Sequence, residues 1–123
     1  AVVAGTEAGI IPYFSGMRFI DMFGLLDRHI ARRPGGLHAK YDAAYVLGRK
    51  PDFIVLGFVQ TGAIDEAVWP PDREMVVAEG FKSAYQEARR WPRWMSGADG
   101  ELLPGFIALY ERIPTPLEPP DAP

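Results

Sequence analysis

Cysteine is absent from the 123 residues, which excludes a disulfide framework, Cys-ligated zinc and thiol catalysis. Histidine occurs only as His29 and His38, too few for a histidine-rich metal centre, and neither metal nor cofactor is expected. Basic charge is not in excess: 13 Lys and Arg stand against 16 Asp and Glu, a net charge of −3. A nucleic-acid-binding domain ordinarily has a pI above about 9 and a basic stripe, so no nucleic-acid partner is expected. The longest apolar run, Phe53 to Val59, falls far short of the roughly 18 residues that cross a bilayer. The opening residues, Ala1-Val-Val-Ala-Gly5, lack the charged lead and apolar core of a secretion signal. They read as a buried-type strand at the start of an excised piece of a longer protein.

The residues present suit one compact unit. With 48% hydrophobic and 24% charged residues, a chain of this length can bury a core without staples. A single domain is expected over residues 1–113. The segment from Ile113 to Pro123 carries five of the twelve prolines, which remove backbone donors and favour extended polyproline conformation. Residues 114–123 are therefore expected to form a flexible tail.

Four strands are expected. Val2-Val3-Ala4 ends in the glycine-rich turn Gly5-Thr-Glu-Ala-Gly9, and Arg18 to Phe23 is closed by Gly24. Phe53 to Phe58 is continuous and apolar, a pattern typical of a strand covered on both faces, and Phe106 to Arg112 alternates as an edge strand would. A helix is expected over Ala43–Arg49, capped by Asp42 and stopped before Pro51. Gln60 to Asp72 reads as a loop. Asp72 would cap the longest helix, Glu74 to Trp91, whose Val77, Phe81, Ala84, Ala88 and Trp91 fall on one stripe. Strands separated by helices imply an α/β layer, a mostly parallel sheet of about four strands with helices packed on it.

Three features invite a functional reading. The Gly5–Gly9 turn, with Asp21 ending the next strand, mimics a dinucleotide-binding unit. The G-x-G-x-x-G pattern is absent, and Pro12 interrupts the crossover helix, so a plain strand–turn connection is the favoured account. The densest polar cluster is Asp21, Asp27, His29, Arg32, His38, Lys40 and Asp42. It could form an acid–base pair, Asp21 with His38, or a set that binds sugar hydroxyls. The plainer alternative has Asp27 and Asp42 capping turns and helices while Arg32 pairs with Asp21 to order the loop. Finally, Arg89-Arg-Trp-Pro-Arg-Trp-Met95 mixes cations with aromatics. Trp91 is expected to close the core stripe, Trp94 is either core or surface, and Trp69 could stack on a sugar face or pack on its own domain. At a membrane surface such tryptophans settle at headgroup depth while arginine meets phosphate.

Ala8-Gly-Ile-Ile-Pro-Tyr-Phe-Ser-Gly16, Ile20-Asp-Met-Phe-Gly-Leu-Leu-Asp27, His29-Ile-Ala-Arg32, Tyr45-Val-Leu47 and Arg49-Lys-Pro-Asp52 form a series over the first half of the chain. The series resembles the C-terminal extramembrane domain of bacterial GT-C-type membrane glycosyltransferases. Those enzymes are related in plan to protein mannosyltransferases and arabinofuranosyltransferases and use polyprenyl-phosphate sugars. From Gln60 onward the chain carries no such pattern. In that family the catalytic carboxylates lie in loops of the membrane part. The resemblance therefore implies a non-catalytic accessory domain on the extracytoplasmic face of a bacterial membrane. Its partners would be the membrane-embedded part of the same polypeptide and a saccharide or protein acceptor. A small stand-alone enzyme built on the Asp21/His38 loop and a purely structural interaction module are the alternatives.

Overall fold

The computed structural model describes residues 2–6, 16–22, 42–61, 64–67, 69–96 and 100–114. Among these described residues, six strands and three helices follow in chain order: β1 (Val2–Gly5), β2 (Arg18–Asp21), α1 (Ala43–Gly48), β3 (Phe53–Thr61), β4 (Ile64–Ala67), α2 (Pro70–Val77), α3 (Phe81–Ala84), β5 (Tyr85–Ser96) and β6 (Leu102–Arg112). They build one mixed sheet in the order β2-β1-β3-β6-β5, with β4 paired to β3.

This corrects the expected α/β layer with a mostly parallel sheet of four strands. Only β1–β2 and β1–β3 run parallel; β3–β4, β3–β6 and β5–β6 are antiparallel. Two strands account for the difference. Residues 64–67, expected within a loop, fold back as β4 against the end of β3. The expected long helix over Glu74–Trp91 is broken at Gly80, whose φ of +89° suits glycine, and its second half is β5. The stripe that suggested a helix is not one: Phe81 is 3% exposed, but Val77 is 75% and Trp91 40% exposed. Strand β6, expected near an edge, lies between β3 and β5. Its alternation arises because one of its faces carries the helices.

Opposed residues in paired strands share a face, so the register divides the sheet cleanly. Ala4, Ile20, Ile54, Leu56, Phe58, Phe106 and Ala108 lie on the helix-bearing face and join Val46, Met75, Phe81 and Tyr85 in the core. Phe81 stacks on Tyr85 with centroids 5.9 Å apart and meets the Tyr110 ring edge-on at 5.0 Å. Strand β3 is buried on both faces, as its continuous apolar run implied.

Two carboxylates tie the pieces together. Asp72 was expected to cap a helix, but Trp69 occupies that position and Pro70 and Pro71 start α2. Asp72 is instead fully buried and accepts a hydrogen bond from the Gly57 amide at 2.9 Å. Gly57 lies where β3 has left β1, last paired at Val55, and has yet to meet β4, first paired at Phe58. The side chain thus supplies the acceptor that a neighbouring strand would otherwise provide. Asp52 accepts from the Val2 amide at 2.8 Å and from Arg112 at 3.0 Å, and Arg112 also donates to the Lys50 carbonyl. The Tyr85 hydroxyl donates to the Pro51 carbonyl at 2.6 Å. The Arg49–Asp52 motif therefore anchors the starts of β1 and β5 and the end of β6.

Candidate functional site

The antiparallel β5–β6 pair forms the most exposed part of the described structure. It continues past the last β3–β6 pair, Val59 with Gly105, through Trp94–Pro104 and Met95–Leu103 to Ser96–Leu102. At about 3.4 Å per residue, this arm runs roughly 10 Å past the last β3–β6 pair. Strand β5 is a sheet edge and is exposed from Gln86 to Trp94. Pro92 and the arginines on it are the residues that keep such an edge from pairing with another chain.

The register shift between Glu87 and Arg89 is a bulge that sorts the side chains of the arm. Beyond it Arg89, Trp91, Arg93 and Met95 share one face, while Arg90, Pro92 and Trp94 share the face of Phe58 and Phe106. On the first face the Arg89 guanidinium sits 5.1 Å from the Trp91 ring centroid. On the second, Arg90 lies 3.9 Å from the Phe106 centroid, and Phe106 stacks on Phe58 at 5.0 Å. Glu87 receives two hydrogen bonds from Arg90, at 2.7 and 3.0 Å, and Asp65 stands 3.9 Å from the same guanidinium. Bonding to Glu87 raises the Arg90 pKa above its ordinary value, so this side chain is a fixed cation set over an aromatic stack. Burial chiefly, with the Glu87 charge behind it, raises the Tyr110 phenol pKa, while Arg90 pulls it down.

Beyond Arg90, Trp94 is 66% exposed. With Gln60, Pro92, Arg93, Pro104 and Gly105 it lines an open cavity of about 300 Å³. Gly105 is required there: a Cβ at this position would overlap the Phe58 carbonyl oxygen and come within 2.5 Å of Met95 Cγ. The walls are rigid, being two prolines and paired strands. Of its polar residues, Gln60 shares the face of Trp94, whereas the register puts Arg93 on the opposite face. Such an arrangement can hold a flat, partly apolar group.

The sequence-derived site residues are distributed otherwise. Asp42 is the N-cap of α1 and accepts from the Tyr45 amide at 3.1 Å, the plainer of its two readings. Asp21 ends β2, opposite Gly5. Asp27, Arg32, His38 and Lys40 lie outside the described residues, as do the expected ordering of the loop they belong to and the expected tail after Pro114. Trp69 precedes α2 and, with Thr6, Gly57, Met95 and Ile107, lines a small crevice. Trp91 is exposed rather than the end of a core stripe, and Trp94 is at the surface. Sequence reasoning missed Gln60, Pro92 and Pro104, of which only Pro92, between Trp91 and Trp94 within β5, stood beside a feature the sequence singled out. Among the described residues no three His, Cys, Asp or Glu side chains gather to hold a metal ion. No described helix is long and apolar enough to cross a membrane.

The fold and surface define a mixed β-sheet domain with helices on one face and an arginine–tryptophan hairpin at its edge. Residues 1–110 match the family model described as Domain of unknown function (DUF8728), and the chain belongs to that family. Neither a curated protein nor a solved structure matches it.

Proposed function

We propose that the chain is a non-catalytic accessory domain that holds an acceptor or partner for a membrane glycosyltransferase of the GT-C plan. It would form that enzyme's extracytoplasmic C-terminal part, and the chemistry would belong to the membrane-embedded part of the same polypeptide. The motif series from Ala8 to Asp52 supports the kinship. The observation that carries the binding role is the β5–β6 arm, which exposes Trp91 and Trp94 on a braced edge. Core formation does not call for these two indoles at the surface. Large aromatics and arginine on a rigid scaffold are the residues that supply most binding energy at recognition surfaces.

The test has two arms. An antibody raised against the domain should find its natural polypeptide in the membrane fraction, released only by detergent. The purified 123-residue chain should transfer no sugar from a polyprenyl-phosphate donor. A polypeptide that stays in the soluble fraction refutes the reading. So does turnover of a glycosyl or acyl ester by the purified chain that Asp21→Asn or His38→Ala abolishes.

A further inference from the structure

We infer that the face of β5 carrying Trp91 binds the acidic proline-rich segment Glu118-Pro-Pro-Asp121 of a second copy of this chain. The contact lies on the face opposite Trp94, so it goes beyond the accessory role proposed above and does not depend on it. Past the bulge, Arg89, Trp91 and Arg93 share this face of the edge strand, and all three are exposed. At about 3.4 Å per residue, the Cα atoms of the two arginines stand roughly 14 Å apart with the indole between them. The Arg89 guanidinium leans inward over that indole, 5.1 Å from its centroid. Among the described residues no carboxylate pairs with Arg89, and a guanidinium placed over a ring still presents its in-plane N–H groups to an acid. The one acid on the strand from Gln86 to Ser96 is Glu87, which Arg90 already bonds. The face therefore offers a cation, a flat apolar surface and a second cation in a row.

The chain's own sequence holds the complement. From Pro114 to Pro123 it has five prolines, Glu118 and Asp121, and neither Lys nor Arg. Such a composition favours polyproline II, with three residues per turn and a rise of about 3.1 Å. Glu118 and Asp121 then fall on one side of the segment, about 9 Å apart, with Pro119 and Pro120 between them. The inward lean of Arg89 brings its charge toward that spacing. Polyproline segments dock on exposed aromatic rings, and their preformed shape keeps the ordering cost low. Reach decides which copy supplies the segment. Trp91 lies opposite Ile107, whereas the chain leaves the sheet past Arg112, opposite Tyr85. Pro114 is thus about 24 Å from Trp91 along the sheet. The five steps from Pro114 to Pro119 span at most about 18 Å, so a chain's own proline pair falls short of its own indole. Pro92 and the segment's prolines withhold N–H groups, which makes the contact one of side chains rather than an added strand.

The test measures self-association of the 123-residue chain by sedimentation equilibrium and titrates the chain with a synthetic peptide of residues 114–123. The chain should associate with a dissociation constant on the order of 100 μM. The peptide should compete with that association and shift the Trp91 indole N–H resonance. Replacing both peptide carboxylates, Glu118→Gln with Asp121→Gln, should weaken its binding about tenfold, and this arm leaves the folded chain untouched. Trp91→Ala should weaken association about tenfold, whereas Trp94→Ala on the other face should leave it unchanged. Arg89→Glu with Arg93→Glu should abolish association, and adding Glu118→Arg and Asp121→Arg to the same chain should restore it. That rescue also shows that the reversed strand still folds. A chain that stays monomeric near 1 mM and a Trp91 resonance that the peptide does not move overturn the inference. Association indifferent to Trp91→Ala, equal loss through Trp94→Ala, or a charge reversal that is not rescued overturns it too. So does binding of inorganic phosphate or anionic phospholipid vesicles that Arg89→Glu abolishes, when the peptide gives no response.

Discussion

Replacing Asp72 with alanine tests the account of how the sheet changes neighbours along β3. The carboxylate is fully buried and accepts from the Gly57 amide at 2.9 Å. Alanine removes that acceptor at a point where neither β1 nor β4 can replace it. A buried amide left without a partner costs about 1–3 kcal/mol. Loss of an acidic side chain from the first turn of α2 adds about 0.3–1 kcal/mol. The expected destabilisation is therefore about 2–3 kcal/mol, a fall in melting temperature on the order of 10 °C for a domain this size. Asp72→Asn keeps an oxygen of the same shape and should cost about 1 kcal/mol. Urea unfolding gives both values, and amide hydrogen exchange should accelerate at Gly57 more than at Leu56 in the alanine variant. A loss below about 0.5 kcal/mol, or equal losses for asparagine and alanine, would refute the claim that this hydrogen bond holds the junction.

Three further outcomes follow from the packing. Phe81→Ala should cost about 3–5 kcal/mol in chemical unfolding, because the ring is buried between Tyr85 and Tyr110; a cost under about 1 kcal/mol would place that side chain outside the core. Gly105→Ala should destabilise the β5–β6 arm, since its Cβ meets the Phe58 carbonyl oxygen and Met95, and a variant as stable as the parent would contradict that close approach. Burial raises the Tyr85 pKa above its ordinary 10.0, with Arg112 opposing and Asp52 reinforcing the shift, and Tyr110 is raised as well. The folded state thus retains its phenolic protons longer than the unfolded chain. Stability from these groups is complete below pH 10 and is lost as pH rises through their folded pKa values. Tyr85→Phe should flatten the decline in thermal stability on that alkaline side, and an unchanged slope would refute it.

Elements with a purely local cause were legible in the sequence. Asp42, three residues before Tyr45 and ahead of a short apolar run, signals the start of α1 and caps it in the structure. The uninterrupted apolar run of β3 announced a strand buried on both faces. Non-local pairing was not legible. Val77, Phe81, Ala84, Ala88 and Trp91 match a helical period, yet β6 offers a long antiparallel partner and Gly80 turns the chain before it. Tertiary pairing overrode the pattern, as it commonly does for strand-forming segments. Because residues 85–91 of β5 were read as helix and no strand was expected after them, the face shared by Trp94, Gln60 and Pro104 could not be seen: these residues are distant in sequence and meet only through register. Arg49–Asp52 was legible as a motif but not as a clamp, since its partners Val2 and Arg112 lie at opposite ends of the chain.

The accessory-domain reading is tested most directly by glycosyl transfer in the whole natural polypeptide, comparing the parent with the Trp91→Ala/Trp94→Ala variant. Loss of acceptor-holding contacts should raise the acceptor KM about tenfold and leave the polyprenyl-phosphate donor KM unchanged. An unchanged acceptor KM in a folded, membrane-inserted variant would contradict the account, as would sugar transfer by the 123-residue chain alone.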